Sequence, residues 1–209
     1  MGFSGRWGLA WASVLLWGSV ATAQDCGTQI TVLVNDSAGV EPSVLRQAER
    51  EAGRLFEAAG IEIQWTKCAQ TNECGHVLGP KEFVLHIVPG GKTPSDAVFG
   101  EAFLGDDGRG QYSDVFFDRL RQAQEDVNLA LLLGAVSAHE LGHLLLGSNS
   151  HSGIGIMEPR WQKDSVEKIG KGILLFTREQ GELMRKRIQK SEDLSVRVSA
   201  TSKLTRVDY

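Results

Sequence analysis

The chain has 209 residues, which suits one domain with short extensions. Hydrophobic residues make up 42% and charged residues 23%, ordinary globular values that leave enough apolar surface for a sizeable core. The formal charge of −4 comes from 22 basic and 26 acidic side chains with no basic stripe, which excludes the electrostatic footprint of a nucleic-acid partner.

The first residues read as a targeting segment. Arg6 is followed by the apolar stretch WGLAWASVLLWGSV and then by Ala21-Thr22-Ala23. A short basic start, an apolar region and an A-x-A site mark a cleaved secretory signal over residues 1–23, with a mature chain from Gln24 that is secreted or periplasmic. The stretch is short for a span of about 20 apolar residues, and no second run is expected to cross a bilayer, so no membrane contact is expected after cleavage. Export places the three cysteines, Cys26, Cys68 and Cys74, in an oxidising compartment. Their odd number allows at most one internal bridge. Cys68–Cys74 is favoured by the polar, loop-like AQTNE between them; Cys26–Cys68 stays open, because bridge geometry depends on the fold. No C-x-x-C spacing offers a cysteine-built zinc site.

After the signal, ITVLVN (Ile30 to Asn35) is β-branched and compact, a buried strand. SVLRQAEREAGRLFEAAG places Val44, Leu45, Ala48, Ala52, Leu55, Phe56 and Ala59 near one helical face, with Pro42 in the first turn and Gly60 at the stop. IEIQW and FVLHIV read as further strands, the latter closed by Pro89-Gly90-Gly91. AVFGEAFL, weakened by Gly100, and SDVFF (Ser113 to Phe117) complete the strands, with the turn-rich GDDGRGQ between them. DRLRQAQED is a short helix or loop. Asn128 is placed to cap LALLLGAVSAHELGHLLLG, a run apolar almost all round and therefore a buried helix ended by Gly147. FTREQGELMRKRIQ is a last amphipathic helix capped by Thr177, and residues 191–209 read as a polar tail. The order predicts an α+β domain over residues 24–190.

The buried run contains the chemistry. HELGHLLLGSNSH, His139 to His151, holds three of the chain's five histidines and a glutamate. A helix turns about 100° per residue, so His139 and His143 share a face and can hold one ion together. Glu140, one residue on, can reach a water bound to that ion without being a ligand. Gly147 lets the chain turn back so that His151 arrives as a third imidazole, leaving a fourth position for water, as catalytic zinc requires. Zinc lowers the pKa of such a water to about 7, and Glu140 would take its proton and pass it to a leaving amine. A charge on Glu140 buried without a partner would be expensive, and an ion beside it makes the burial tolerable.

HELGH, a following glycine, a further His-Ser and then Met157-Glu158-Pro159 resemble the metzincin clan of zinc endopeptidases, closest to its matrixin-type ending. By position the resemblance implies Zn2+ on His139, His143 and His151, Glu140 as catalytic base, and Met157 in the methionine turn beneath the metal. It also implies a twisted mixed sheet packed on the active-site helix, with a C-terminal helix behind it. An antiparallel edge strand, for which AVFGEAFL is the candidate, would pair with an extended peptide or protein substrate. The protein would act as a monomer with no organic cofactor. The spacing departs from the pattern H-E-x-x-H-x-x-G-x-x-H, whose strict register would put Asn149, a poor zinc ligand, in the third position. We read SNSH as a lengthened loop with His151 still delivering the ligand.

Alternatives stand beside this reading. A third ligand could come from a downstream helix through Glu167, Glu179 or Glu182, although no partner motif surrounds them. The same fold could serve as a zinc- or peptide-binding module without hydrolysis, or the histidines could be core residues of a structural domain. His76 and His86 read as structural, and Trp161 as packing. Asp106, Asp107 and Asp114 lack a calcium-loop spacing.

Overall fold

A computed structural model describes Gly2 and residues 28–68, 76–90, 98–123 and 127–204, with side chains through residue 193. The signal stretch, Cys26 and Cys74 lie outside the described residues.

The elements run β1 (Thr28–Asp36), α1 (Pro42–Ala58), β2 (Ile61–Lys67), β3 (Glu82–Val88), β4 (Gly100–Phe103), β5 (Tyr112–Phe116), α2 (Phe117–Ala123), α3 (Leu129–Leu146), α4 (Lys163–Gly170) and α5 (Arg178–Leu204). The strands form one mixed sheet in the order β2-β1-β3-β5-β4. β1 is parallel to β2 and β3, β3 is parallel to β5, and only β4 runs antiparallel, at the edge beside β5. The α+β expectation and the antiparallel edge strand both hold.

Period-two burial shows which face of the sheet is covered. Along β3, Phe83, Leu85 and Ile87 are buried while Val84 and His86 are half-exposed. The buried set packs with the apolar stripe of α1, Leu45, Ala48, Ala52, Leu55 and Phe56, and with α3. Glu41 begins α1 by accepting from the amides of Ser43 and Val44, Pro42 occupies the first turn, and Gly60 turns the chain onwards at φ +75°. His86 takes a structural place, between Ser37 Oγ at 2.8 Å and the Asp114 carboxylate at 3.5 Å.

α3 lies at the centre, in contact with α1, α4, α5 and the β3, β4 and β5 strands. This explains a helix that is apolar on every side. Contrary to the sequence expectation, its 18 residues are long and apolar enough to cross a membrane, yet 83% of them are buried inside the protein. Its N-terminus is closed by Asn128, whose Oδ1 accepts from the amides of Ala130 at 2.9 Å and Leu131 at 3.3 Å. Asn128→Ala should lower stability by about 1 kcal/mol. In denaturant titration this should appear as an earlier midpoint at unchanged slope.

Two segments depart from expectation. α4 was not foreseen: it buries only Ser165 and Ile169 along its length, and Gln162 before it makes no side-chain cap. α5 continues to Leu204, through most of the segment read as a polar tail. A tertiary ion pair between Lys81 and Glu192, at 2.6 Å, fastens the helix beyond residue 190, and a one-dimensional polarity pattern carries no sign of it. The start of α5 is as predicted. Thr177 Oγ1 accepts from the Gln180 amide, and Gln180 Oε1 accepts from the Thr177 amide at 2.8 Å, a reciprocal capping box.

Candidate metal centre

His139 and His143 stand one turn apart on α3, with His143 buried and His139 partly buried. Gly147 ends the helix in the left-handed conformation, φ 64° and ψ 34°, which reverses the chain at little steric cost only for glycine. The loop that follows is held by His143 itself. Its carbonyl accepts from the amides of Gly147 and Ser148, while its ring Nδ1 donates to the Ser148 carbonyl at 2.8 Å. The longer connection therefore folds back against the helix and delivers His151. Ser152, the next residue, is fixed from both sides. Its amide donates to the Met157 carbonyl at 2.9 Å, and its hydroxyl accepts from the Gln180 side chain at 3.1 Å.

The three imidazoles converge. One ligand atom from each of His139, His143 and His151 lies within 4.8 Å of the others. Asn149 lines the same cleft. Glu167 pairs instead with Lys171 just past the end of α4, Glu182 pairs with Arg178 within α5, and Glu179 sits in the first turn of α5. None of these three glutamates joins the histidine group.

Hydrogen bonding fixes the tautomers of the two helical histidines. A carbonyl oxygen can only accept, so His139 Nδ1, 2.7 Å from the Ile156 carbonyl, and His143 Nδ1, facing Ser148, must carry the protons. Both Nε2 atoms then present lone pairs, and they face each other at 3.1 Å. Two lone pairs at this distance repel unless a cation lies between them, so this contact is not a hydrogen bond. Nitrogens each about 2.0–2.1 Å from one tetrahedral ion stand about 3.3–3.4 Å apart, close to what is found. Burial holds the His139 imidazole down to about 4, against the Ile156 hydrogen bond that favours its charged form, and burial likewise lowers His143 and His151. Near neutral pH the rings are uncharged, as metal ligation demands. The donor set fits zinc.

Glu140 is buried, 6% exposed, and lines the same cleft of about 490 Å3 as the histidines. Burial, with Glu101 nearby adding like-charge repulsion, pushes its carboxyl up to about 8. No cation from the described residues stands against it. Met157 is wholly buried in the turn Gly155–Glu158, closed by the Glu158 amide donating to the Gly155 carbonyl. A side chain at Gly142, next to His143, would come within 2.7 Å of the Met157 sulfur, so the methionine packs directly against the helix between the two ligands.

No family model and no curated protein matches the sequence. Solved structures do match the fold. A zinc-dependent peptidase from Methanocorpusculum labreanum aligns at 15% identity and a TM-score of 0.52, covering 74% of this chain and 99% of that one. An archaemetzincin from Methanopyrus kandleri aligns at 16% identity and a TM-score of 0.48, covering 80% of this chain and 99% of that one. The chain has the fold of the first of these peptidases.

Three contributors to the site, Ile156, Ser148 and Glu101, were not singled out from sequence, and Trp161 was read only as packing. The Ile156 carbonyl accepts from both His139 and Trp161 Nε1, the latter at 3.2 Å, so Trp161 helps to orient a ligand as well as packing. Its ring meets that of His139 edge-on, 5.7 Å between centroids. Ser148 and Glu101 act through a carbonyl and a charge respectively. An acceptor carbonyl has no residue-type signature, so Ser148 was passed over although it stands inside the His139–His151 run.

Proposed function

We propose that the protein is an exported zinc endopeptidase that hydrolyses peptide bonds in peptide or protein substrates, acting as a single chain. The observation that carries this reading is the convergence of three neutral imidazoles beside a buried, unpaired carboxylate in one cleft. His139, His143 and His151 would hold the ion. Zinc in such a site polarises a carbonyl and lowers the pKa of a bound water to about 7.

The remaining work falls to the chain's own groups. Three uncharged ligands leave the positive charge of the site unbalanced, and this favours the ionised form of Glu140 that burial alone opposes. A carboxylate oxygen of Glu140 accepts the proton of the attacking water and returns it to the leaving amine. The Nδ1 hydrogen bonds of His139 and His143 keep both rings turned so that their Nε2 atoms converge where an ion would be held. Met157 and Ile156 support the floor of the site, and their tight turn supports the matrixin-type ending within the metzincin reading.

Cleavage within a chain, rather than at its end, is supported by the edge strand. Phe99 to Ala102 run along the cleft, and an extended peptide can add to the open side of β4 by backbone hydrogen bonds. Export to the periplasm or medium is supported by the basic-apolar-A-x-A start and by the bonded form of Cys68 at the end of β2, which we assign to the single internal bridge.

Purified protein should contain about one zinc per chain by elemental analysis. It should cut members of a mixed peptide library at internal bonds, lose this activity in chelator and regain it with added zinc. Metal bound without cleavage anywhere in the library would leave a binding module in place of a peptidase.

A further inference from the structure

We propose that Gly100 is a positioning residue for Glu140: the side chain it lacks is what allows the edge strand to seat the carboxylate beside the three histidines. The inference rests on the peptidase reading in assigning Glu140 as the base. Its geometric content is independent of that reading.

Gly100 opens β4, opposite Val115 of β5. From sequence this glycine only weakens a strand. A glycine inside a strand commonly marks a place where another group approaches closely, and here that group is the base. A Cβ at position 100 would stand 2.6 Å from Glu140 Cγ, 2.6 Å from Glu140 Oε1 and 2.8 Å from the Asp114 carbonyl oxygen. Such contacts, all under 3.0 Å, force something to shift.

The structure decides what gives way. The Asp114 oxygen is backbone of β5, held in the ladder between β3 and β4. The residue before Gly100 is pinned as well, because the Phe99 carbonyl accepts from the Phe116 amide at 2.8 Å. Glu140 is a side chain with rotatable bonds and no hydrogen bond from the described residues. It is the mobile partner. Gly100 is not among the glycines with positive φ, so alanine meets no backbone strain there and the position is glycine for space alone. The three histidines lie on α3 and the loop after it, and none is among the atoms nearest to the added Cβ. A methyl group at 100 therefore pushes the base away and leaves the metal ligands where they are. Proton transfer needs the carboxylate within about 2.6–3.2 Å of its proton, and a misplacement of about 1 Å can lower a rate by about 100-fold.

The test compares Gly100→Ala with the parent as zinc-loaded holoenzymes on a fluorogenic peptide chosen from the library. We expect kcat to fall by about 10- to 100-fold with KM and zinc affinity, the latter by competition titration, within about twofold of the parent values. An unchanged kcat, or a zinc affinity that falls in step with kcat, overturns the proposal. A second arm reads Tm without reference to activity. Gly100→Ala should lower Tm, and Glu140→Ala in the same chain should recover the share of that loss that comes from the two 2.6 Å contacts with Glu140, while the 2.8 Å contact with the Asp114 oxygen stays; the two effects should be non-additive. A double variant as unstable as Gly100→Ala alone would place the clash on β5 and sink the idea, even where the single variant is too unstable to assay. Should the parent cut no peptide while the Tm coupling appears, the peptidase reading fails and the positioning role stands.

Discussion

Glu140→Gln should lower turnover by about 10²–10⁴-fold while zinc content stays at the parent level. The amide keeps the size and much of the polarity of the carboxyl but cannot accept a proton from water. The three histidines do not depend on Glu140 for orientation, because their recorded partners are the carbonyls of Ile156 and Ser148 and the ties around Ser152. Metal binding and catalysis should thus separate in this variant. The same substitution has a stability signature when chelator is present. Burial raises the Glu140 carboxyl from an ordinary 4.5 to about 8, so the folded chain holds a proton that the unfolded chain has released. Stability from this group is fully present below about pH 4.5 and is lost as pH rises towards about 8. Glu140→Gln removes that slope. Urea midpoints measured across this range in chelator should fall with pH for the parent and change less for the variant. A variant that cleaves as fast as the parent would end the assignment of Glu140 as base.

Much of this site was legible because its residues obey helical arithmetic. His139 and His143 fall four apart on a run whose all-round apolarity fixed its burial, and Asn128, Gly147, Thr177 and Pro42 marked helix ends by chemistry that local sequence carries. The edge strand was visible, but the close approach of its first residue to Glu140 was not. Gly100 read as a flaw in β4 because its value depends on a glutamate forty positions away that the sheet brings against it. Trp161 and Ile156 were obscure for a similar reason: one carbonyl serves both Trp161 and His139, and a carbonyl belongs to every residue. Residues 191–204 continue α5, and the Lys81 contact with Glu192 there joins it to the segment just before β3. In each case the missing information was a contact between segments distant in sequence, whereas the readable part was periodic or local.

The identity of the third ligand gives the second decisive experiment, because spacing and geometry point to different residues. Strict metzincin register points to Asn149, whereas it is the His151 imidazole that converges with those of His139 and His143. His151→Ala should weaken zinc binding by more than about 100-fold, since loss of even a ligand's hydrogen-bond partner typically costs 10–100-fold, and peptide cleavage should disappear with it. Asn149→Ala should leave zinc affinity close to the parent value. His151 is exposed, in a loop rather than in the core, so its removal opens no cavity and the apo fold should persist. Zinc-dependent stabilisation provides an independent readout. At a fixed excess of zinc the stabilisation follows the logarithm of concentration over Kd, so a 100-fold weaker site forfeits about 2.7 kcal/mol, seen as a smaller rise in Tm on adding metal. The outcome also bears on how the longer loop works. Gly147 and Ser148 fold back onto the His143 carbonyl, and Ser148 in turn accepts from the His143 ring, so the helix that carries two of the histidines also anchors the turn that brings in the third. If His151→Ala binds zinc as tightly as the parent, that anchoring serves no metal, and the tripod and the peptidase assignment fall together.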